Sequence, residues 1–125
     1  MRQGIIVMVL FSFLVSCEED NRTPSNTCSV NDPIMELFWL TNRVEEFEQS
    51  TSEASKYFYI SQASYLGNTV FVLENCCPFC NTVISVFDCE GELLGILGTR
   101  DEDIDPDSLD NKKVIWHPED SPCSF

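Results

Sequence analysis

Apolar and polar positions along the chain fall into three regimes. Residues 5–16 (IIVMVLFSFLVS) form one nearly unbroken apolar run, residues 18–27 are polar, and from residue 28 onward apolar positions recur at regular spacings. Asp32 followed by Pro33 predicts a helix start, with the carboxylate as N-cap and the proline in the first helical position. Ile34, Leu37, Phe38, Val44 and Phe47 then recur at mostly helical spacing, with Glu45, Glu46 and Glu48 falling mostly elsewhere. This predicts an amphipathic helix of about four turns that ends before the Ser/Thr-rich stretch 49–55. Met35 and Trp39 lie off that stripe and face either a partner or the edge of a sheet.

Beyond residue 55 the pattern changes to that of strands. Residues 56–66 (KYFYISQASYL) are rich in aromatics and lead to Gly67-Asn68, a hairpin signal, with 69–73 (TVFVL) as the return strand. Residues 82–87 (TVISVF) predict a third strand, closed by a turn through 88–92 in which Gly91 is free to take positive φ. Residues 93–97 make a fourth strand, and 113–116 (KVIW) a fifth, reached over the acidic stretch 99–111. The order predicts one α+β domain over residues 28–125, with one N-terminal helix packed on a face of a four- to five-stranded antiparallel meander.

The first apolar run, at about twelve residues, is too short to span the roughly 30 Å hydrocarbon core and suits the h-region of a secretory signal. It closes with Leu14-Val15-Ser16-Cys17 rather than with small residues in an A-x-A-like pattern. This tetrapeptide resembles the bacterial lipobox. The resemblance implies a signal peptide over residues 1–16, cleavage before Cys17, and lipidation of that cysteine's sulfur and amine. Several acyl chains, at about 0.8 kcal/mol per buried methylene, anchor a protein stably where one does not. The bland alternative is a non-lipidated signal that happens to contain a cysteine.

Cysteine arithmetic points the same way. Seven cysteines leave one unpaired in an exported protein, but assigning Cys17 to lipid leaves an even six: Cys28, Cys76, Cys77, Cys80, Cys89 and Cys123. An oxidising compartment lets these persist as disulfides. Cys76 and Cys77, adjacent at a strand end, point to opposite faces and are expected to bond different partners, with Cys28, Cys89 and Cys123 as candidates. Residues 17–27 read as the lipidated cysteine and a flexible tether. Its opening Glu18-Glu19-Asp20 resembles the export signal of surface lipoproteins in Bacteroidota, which implies an outer-membrane or cell-surface location; a solvated tether is also free to be acidic for no further reason.

Composition then narrows the partners. Twenty-one acidic residues against seven basic ones give a formal net charge of −14, which excludes nucleic acid and an anionic membrane face as natural partners. If the domain binds a protein, that charge calls for a basic one, or for another component of the envelope.

Three constellations bear on chemistry. Cys77-Pro78-Phe79-Cys80 resembles the active site of glutaredoxins and makes an envelope thiol–disulfide oxidoreductase the alternative function. In that fold the first cysteine sits at a helix N-terminus, whose dipole lowers the thiol pKa. The β-branched residues 82–86 argue against a following helix and for a structural disulfide cluster. Cys77, Cys80, Cys89 and His117 are a zinc set without the second C-x-x-C that a ribbon needs. Asp101, Asp103, Asp105 and Asp107 occupy alternate positions like the start of an EF-hand loop and are a weak calcium candidate. Pro106 and Lys112 stand where that loop requires Gly and Glu, so a solvated acidic loop is the plainer reading. No Ser-His-Asp arrangement, phosphate-cradling glycine loop or HExxH string is present, which argues against a hydrolase.

From about residue 39 to 123 the pattern resembles a group of small Bacteroidota lipoproteins of unestablished function. The marks are the tyrosine-containing strand turning at Gly67-Asn68, the Cys76-Cys77 pair and the hairpin through 88–91, while the acidic loop replaces that group's usual glycine-rich segment. The resulting expectation is a membrane-tethered, disulfide-stapled binding module outside the cytoplasm, with no cofactor beyond that weak calcium site.

Overall fold

The computed structural model describes residues 28–125. The expected signal peptide, Cys17 and the tether lie outside the described residues. Among the described residues no helix is long and apolar enough to cross a membrane.

The chain starts its helical segment where the sequence predicts. Asp32 Oδ1 accepts from the N–H groups of Ile34 (3.1 Å) and Met35 (3.3 Å), and Glu36 Oε1 accepts from those of Asp32 (2.9 Å) and Asn31 (3.2 Å). This reciprocal capping satisfies donors that a helix start leaves unpaired. The predicted single helix is in fact two, α1 (Pro33–Glu36) and α2 (Phe38–Gln49), because Leu37 takes an extended conformation. The break is chemically closed. Thr41 Oγ1 donates to the carbonyl of Ile34 at 2.7 Å, so the oxygen that a continuous helix would have paired is not left bare.

The break also rotates the apolar stripe. Leu40 and Val44 are the buried positions of α2, and Phe47 packs beside them, whereas Phe38, expected on the stripe, is 80% exposed. Trp39, expected off the stripe, turns to the sheet. Its ring lies 5.7 Å from Phe71 and 5.6 Å from Phe87, and its Nε1 donates to the carbonyl of Cys89 at 2.9 Å. Gly91 has φ +82°, and a Cβ there would fall 2.7 Å from the Trp39 ring, so both backbone and packing require glycine.

Five antiparallel strands form one sheet: β1 (Phe58–Tyr65), β2 (Asn68–Asn75), β3 (Ser85–Phe87), β4 (Leu93–Ile96) and β5 (Asp110–Trp116), in the order β4-β3-β2-β1-β5. The first four make the predicted meander. β1 and β2 pair without interruption from Phe58↔Asn75 to Tyr65↔Asn68. The hairpin turns on Leu66 (φ 49°) and Gly67 (φ 80°), one residue earlier than expected, and two successive positive φ values match the right-handed twist of the strands it joins. The third strand is shorter than 82–87, since residues 81–84 belong to no regular element.

The fifth strand departs from a meander. It pairs with β1 at the opposite edge from β4, so residues 97–109 must cross the sheet. Ile104 explains the path. It is 6% exposed and packs with Ala63, Val70, Val72 and Val86 on the face away from the helices, with Leu97 and Leu109 beside it. Its backbone N–H donates to the carbonyl of Ile96 (2.8 Å), and its carbonyl accepts from Gly98 (3.1 Å). The acidic loop is therefore a third layer of the fold, fastened by apolar residues between its charges. The second core, Leu40, Val44, Ile60 and Phe71, lies between the helices and the other sheet face.

The six cysteines form three bridges: Cys28–Cys89, Cys76–Cys123 and Cys77–Cys80. Neighbouring Cys76 and Cys77 do bond different partners, although Cys77 takes Cys80 rather than a distant cysteine. The first two span 61 and 47 residues, and each stabilises by about 4 kcal/mol in the loop-entropy account. The third spans 3 residues and contributes under about 2 kcal/mol by the same account.

The crossover is testable by urea unfolding followed by tryptophan fluorescence. Ile104→Ala is expected to lower stability by about 2–5 kcal/mol, as for a buried aliphatic side chain, while Asp101→Asn nearby changes it by less than about 0.5 kcal/mol. Equal, small effects would mean that the loop is only solvated.

Candidate functional site

Strand β2 gives the molecule two poles. Its eight residues extend about 26 Å at the usual rise per strand residue. At its start, Cys89 Sγ lies 4.0 Å from the carbonyl of Thr69, and through the Cys28–Cys89 bond the first described residue is held at this near pole. Leu66, at the hairpin tip and 81% exposed, shares it. At the end of β2 stand Cys76 and Cys77, the far pole.

At the far pole the Cys76 N–H donates to the carbonyl of Tyr57 at 3.1 Å, and Cys123 Sγ lies 3.5 Å from the same oxygen. The Cys76–Cys123 bridge thus ties the last residues of the chain to the start of β1. Next to it, Cys77–Cys80 closes a tight turn whose middle is Pro78 and Phe79. The turn is set by Asn75, whose Oδ1 accepts from the Cys77 N–H at 2.7 Å; its Nδ2 is buried and has no hydrogen-bond partner among the described residues. Phe79 is 96% exposed and Val83 61% exposed. The sequence leads from this turn into extended chain and β3, so neither sulfur sits at a helix N-terminus.

The far pole also carries a cleft of about 570 Å³ between the end of α2, the 50–56 loop and residues 116–120. Phe47 and Trp116 line it, joined in a stack in which Phe47 lies 5.0 Å from Phe58 and 5.7 Å from Trp116, with rings tilted by 14° and 15°. Around these rings stand Glu48, Glu53, Glu119 and Asp120, with Lys56 the one cation of the lining. Lys56 Nζ is 2.8 Å from Glu53 Oε2. That hydrogen bond and its charge hold the Glu53 carboxyl below its ordinary value and raise the Lys56 ammonium above its own. Four carboxylates against one ammonium, around aromatic faces, suit a cationic group that is attracted by the charge and seats on a ring.

A second polar cluster is structural. Glu74 on β2 is 7% exposed; one oxygen accepts from Ser61 Oγ of β1 and the other lies 2.6 Å from Lys112 Nζ of β5. Lys112 thereby reaches across β1 and locks the edge strand to the sheet centre. Burial, with Glu74 close by, pushes the Tyr59 hydroxyl above its ordinary value.

The metal sets read from the sequence are not assembled. Cys77 and Cys80 are at the far pole and Cys89 at the near pole, and all three sulfurs are in disulfides rather than available as thiolates. His117 Nδ1 is 2.8 Å from the carbonyl of Pro118, and its ring stacks on Phe125 at 4.4 Å. In the acidic loop, Asp103 faces the Arg100 guanidinium with contacts of 3.1 Å to each oxygen, and Asp105 Oδ1 caps the N–H of Asp107. Asp101 and Asp107 are exposed. Among the described residues no group of three or more His, Cys, Asp or Glu side chains is arranged to hold a metal ion.

The cleft residues were missed in the sequence because Phe47, Glu53 and Glu119 lie in separate segments with no shared spacing. No family model, curated protein or solved structure matches the chain.

The Arg100–Asp103 clasp has a pH signature. The guanidinium hydrogen bond holds the Asp103 carboxyl below its ordinary value of 3.8, against burial and with help from the Arg100 backbone N–H. A carboxylate with a depressed folded pKa stabilises the fold above its unfolded value and loses that stabilisation as pH falls through the folded value. The melting-temperature gap between wild type and Asp103→Asn is therefore expected to be constant near neutrality and to close below pH 3.8. A gap that persists in strong acid would show that the clasp is not what Asp103 contributes.

Proposed function

We propose that the chain is an exported lipoprotein, held at the outer membrane or cell surface through Cys17, whose domain is a binding module that engages a basic protein with its far pole. The observation that carries this reading is the separation of the poles. A tether running from Cys17 ends at Cys28, on the near pole, and β2 sets the far pole about 26 Å beyond it. A partner approaching from the aqueous side meets the far pole first. What it meets there is the acidic, aromatic-lined cleft.

The lipobox-like Leu14-Val15-Ser16-Cys17 supports the anchor, and the even count of six remaining cysteines, all bridged, supports an oxidising compartment. The acidic run after Cys17 supports surface display. Electrostatic complementarity acts mainly on encounter rate and specificity, so the partner's on-rate is expected to fall as salt rises.

Two measurements test this. Metabolic labelling with a fatty acid is expected to mark the wild-type protein and not Cys17→Ala; absence of label on the wild type, or equal label on both, would remove the anchor. A photo-crosslinking residue placed at Glu119 in living cells is expected to capture a discrete protein, while the same residue at Leu66 captures none. Equal capture at both positions, or an on-rate for the captured protein that ignores salt, would overturn the far pole as the binding surface.

A further inference from the structure

We propose that Cys77–Cys80 is an exchangeable disulfide whose substrate class is a protein dithiol, and that it is chemically separate from the two bridges that hold the fold. The inference rests on the turn itself and is independent of the tether and of the cleft.

The first argument is what the bond does not hold. Cys28–Cys89 and Cys76–Cys123 join segments 61 and 47 residues apart and fix both ends of β2, whereas Cys77–Cys80 closes a four-residue turn. Among the described residues, none of 78–83 makes a hydrogen bond to another part of the fold, and no buried core residue lies in that segment. Opening the bond leaves the β1–β2 pairing and both cores as they are.

The second argument is access. Cys80 is exposed while Cys77 is half-buried, so an incoming sulfur reaches Cys80 Sγ more readily than Cys77 Sγ. Pro78, Phe79 and Val83 are exposed around it. An apolar fringe at 96% and 61% exposure beside a reactive bond suits an extended or unfolded segment that carries both hydrophobic residues and thiols. Exposed disulfides are also the labile class, in contrast with buried structural ones.

The step balances as thiol–disulfide exchange. A thiolate of the partner dithiol attacks Cys80 Sγ, the Cys77–Cys80 bond breaks, and Cys77 leaves as a thiolate that takes up a proton. The partner's second thiolate then attacks its own sulfur in the mixed disulfide and releases Cys80 as a thiolate. The partner loses two electrons and becomes a disulfide; Cys77 and Cys80 gain them and become thiols. Because neither sulfur has a helix N-terminus to depress its pKa, the centre exchanges without being a strong oxidant.

The exported mature chain is equilibrated in graded glutathione redox buffers, alkylated and weighed intact. Two thiols, mapped to Cys77 and Cys80, are expected to open at mild potentials while four cysteines stay bridged. Resistance of all six, or simultaneous opening of all six, would overturn the proposal. Fold independence is read separately. Cys77→Ser/Cys80→Ser is expected to shift the melting temperature by at most about 10 °C, and Cys76→Ser/Cys123→Ser by more than twice as much; equal losses would count against it. Incubation with a reduced dithiol peptide then reports direction. For the single-cysteine variants the peptide is supplied as its disulfide, so that the remaining thiolate attacks it and displaces one peptide thiolate, the reverse of the release step. Cys77→Ser, which keeps Cys80, is expected to accumulate at least about tenfold more mixed disulfide than Cys80→Ser, and the reverse order would reject exchange at Cys80.

Discussion

Six consecutive residues of β2, Thr69 to Glu74, are buried, and the rest of the structure is arranged to keep both faces of that strand dry. An antiparallel strand in a small domain usually has one wet face. Here α2 covers one face through Leu40 and Val44 against Phe71, and the crossover covers the other through Ile104 against Val70 and Val72. β1 and β3 pair its two edges. The one charged residue among them, Glu74, is matched by Ser61 and Lys112 from the two strands beyond. A buried carboxylate without such partners carries a large desolvation penalty.

That constraint sets where function is able to sit. With both faces covered, the free surfaces are the two strand ends and the sheet edges. The near end carries Cys28, Trp39 and the turn that accepts the tryptophan N–H, with a cleft of about 450 Å³ between Leu66, Thr69, Glu90 and Leu94. The far end is left with an exposed disulfide turn and a cleft whose aromatic stack is an extension of the helix-side core. The same fastening lets an acidic segment lie over the sheet: Asp101, Glu102, Asp105 and Asp107 are exposed while Ile104 is buried, and Arg100, Lys56 and Lys112 engage Asp103, Glu53 and Glu74.

Much of this was legible in the residues. Asp32-Pro33 with Glu36 announced the helix start, the β1–β2 hairpin followed from two aromatic and β-branched runs around Gly67, and Gly91 marked a turn needing positive φ. The errors have physical causes. The helix appeared continuous because nothing in local spacing signals that Thr41 would accept the task of capping Ile34. The loop 99–111 does keep most of its charged residues in solvent; what local spacing did not signal is that its one isoleucine pins the segment over a dry face.

The sequence by itself determined the elements, the α+β class, the lipobox-like address and the even set of six cysteines, because each is written in neighbouring residues or in a count. Tertiary structure decided the strand order, the disulfide partners and the far-pole cleft. Those depend on which distant segments are brought together by burying β2: the need to cover its second face sends the chain across the sheet to β1, and only then do Cys76 and Cys123, or Phe47 and Trp116, become neighbours.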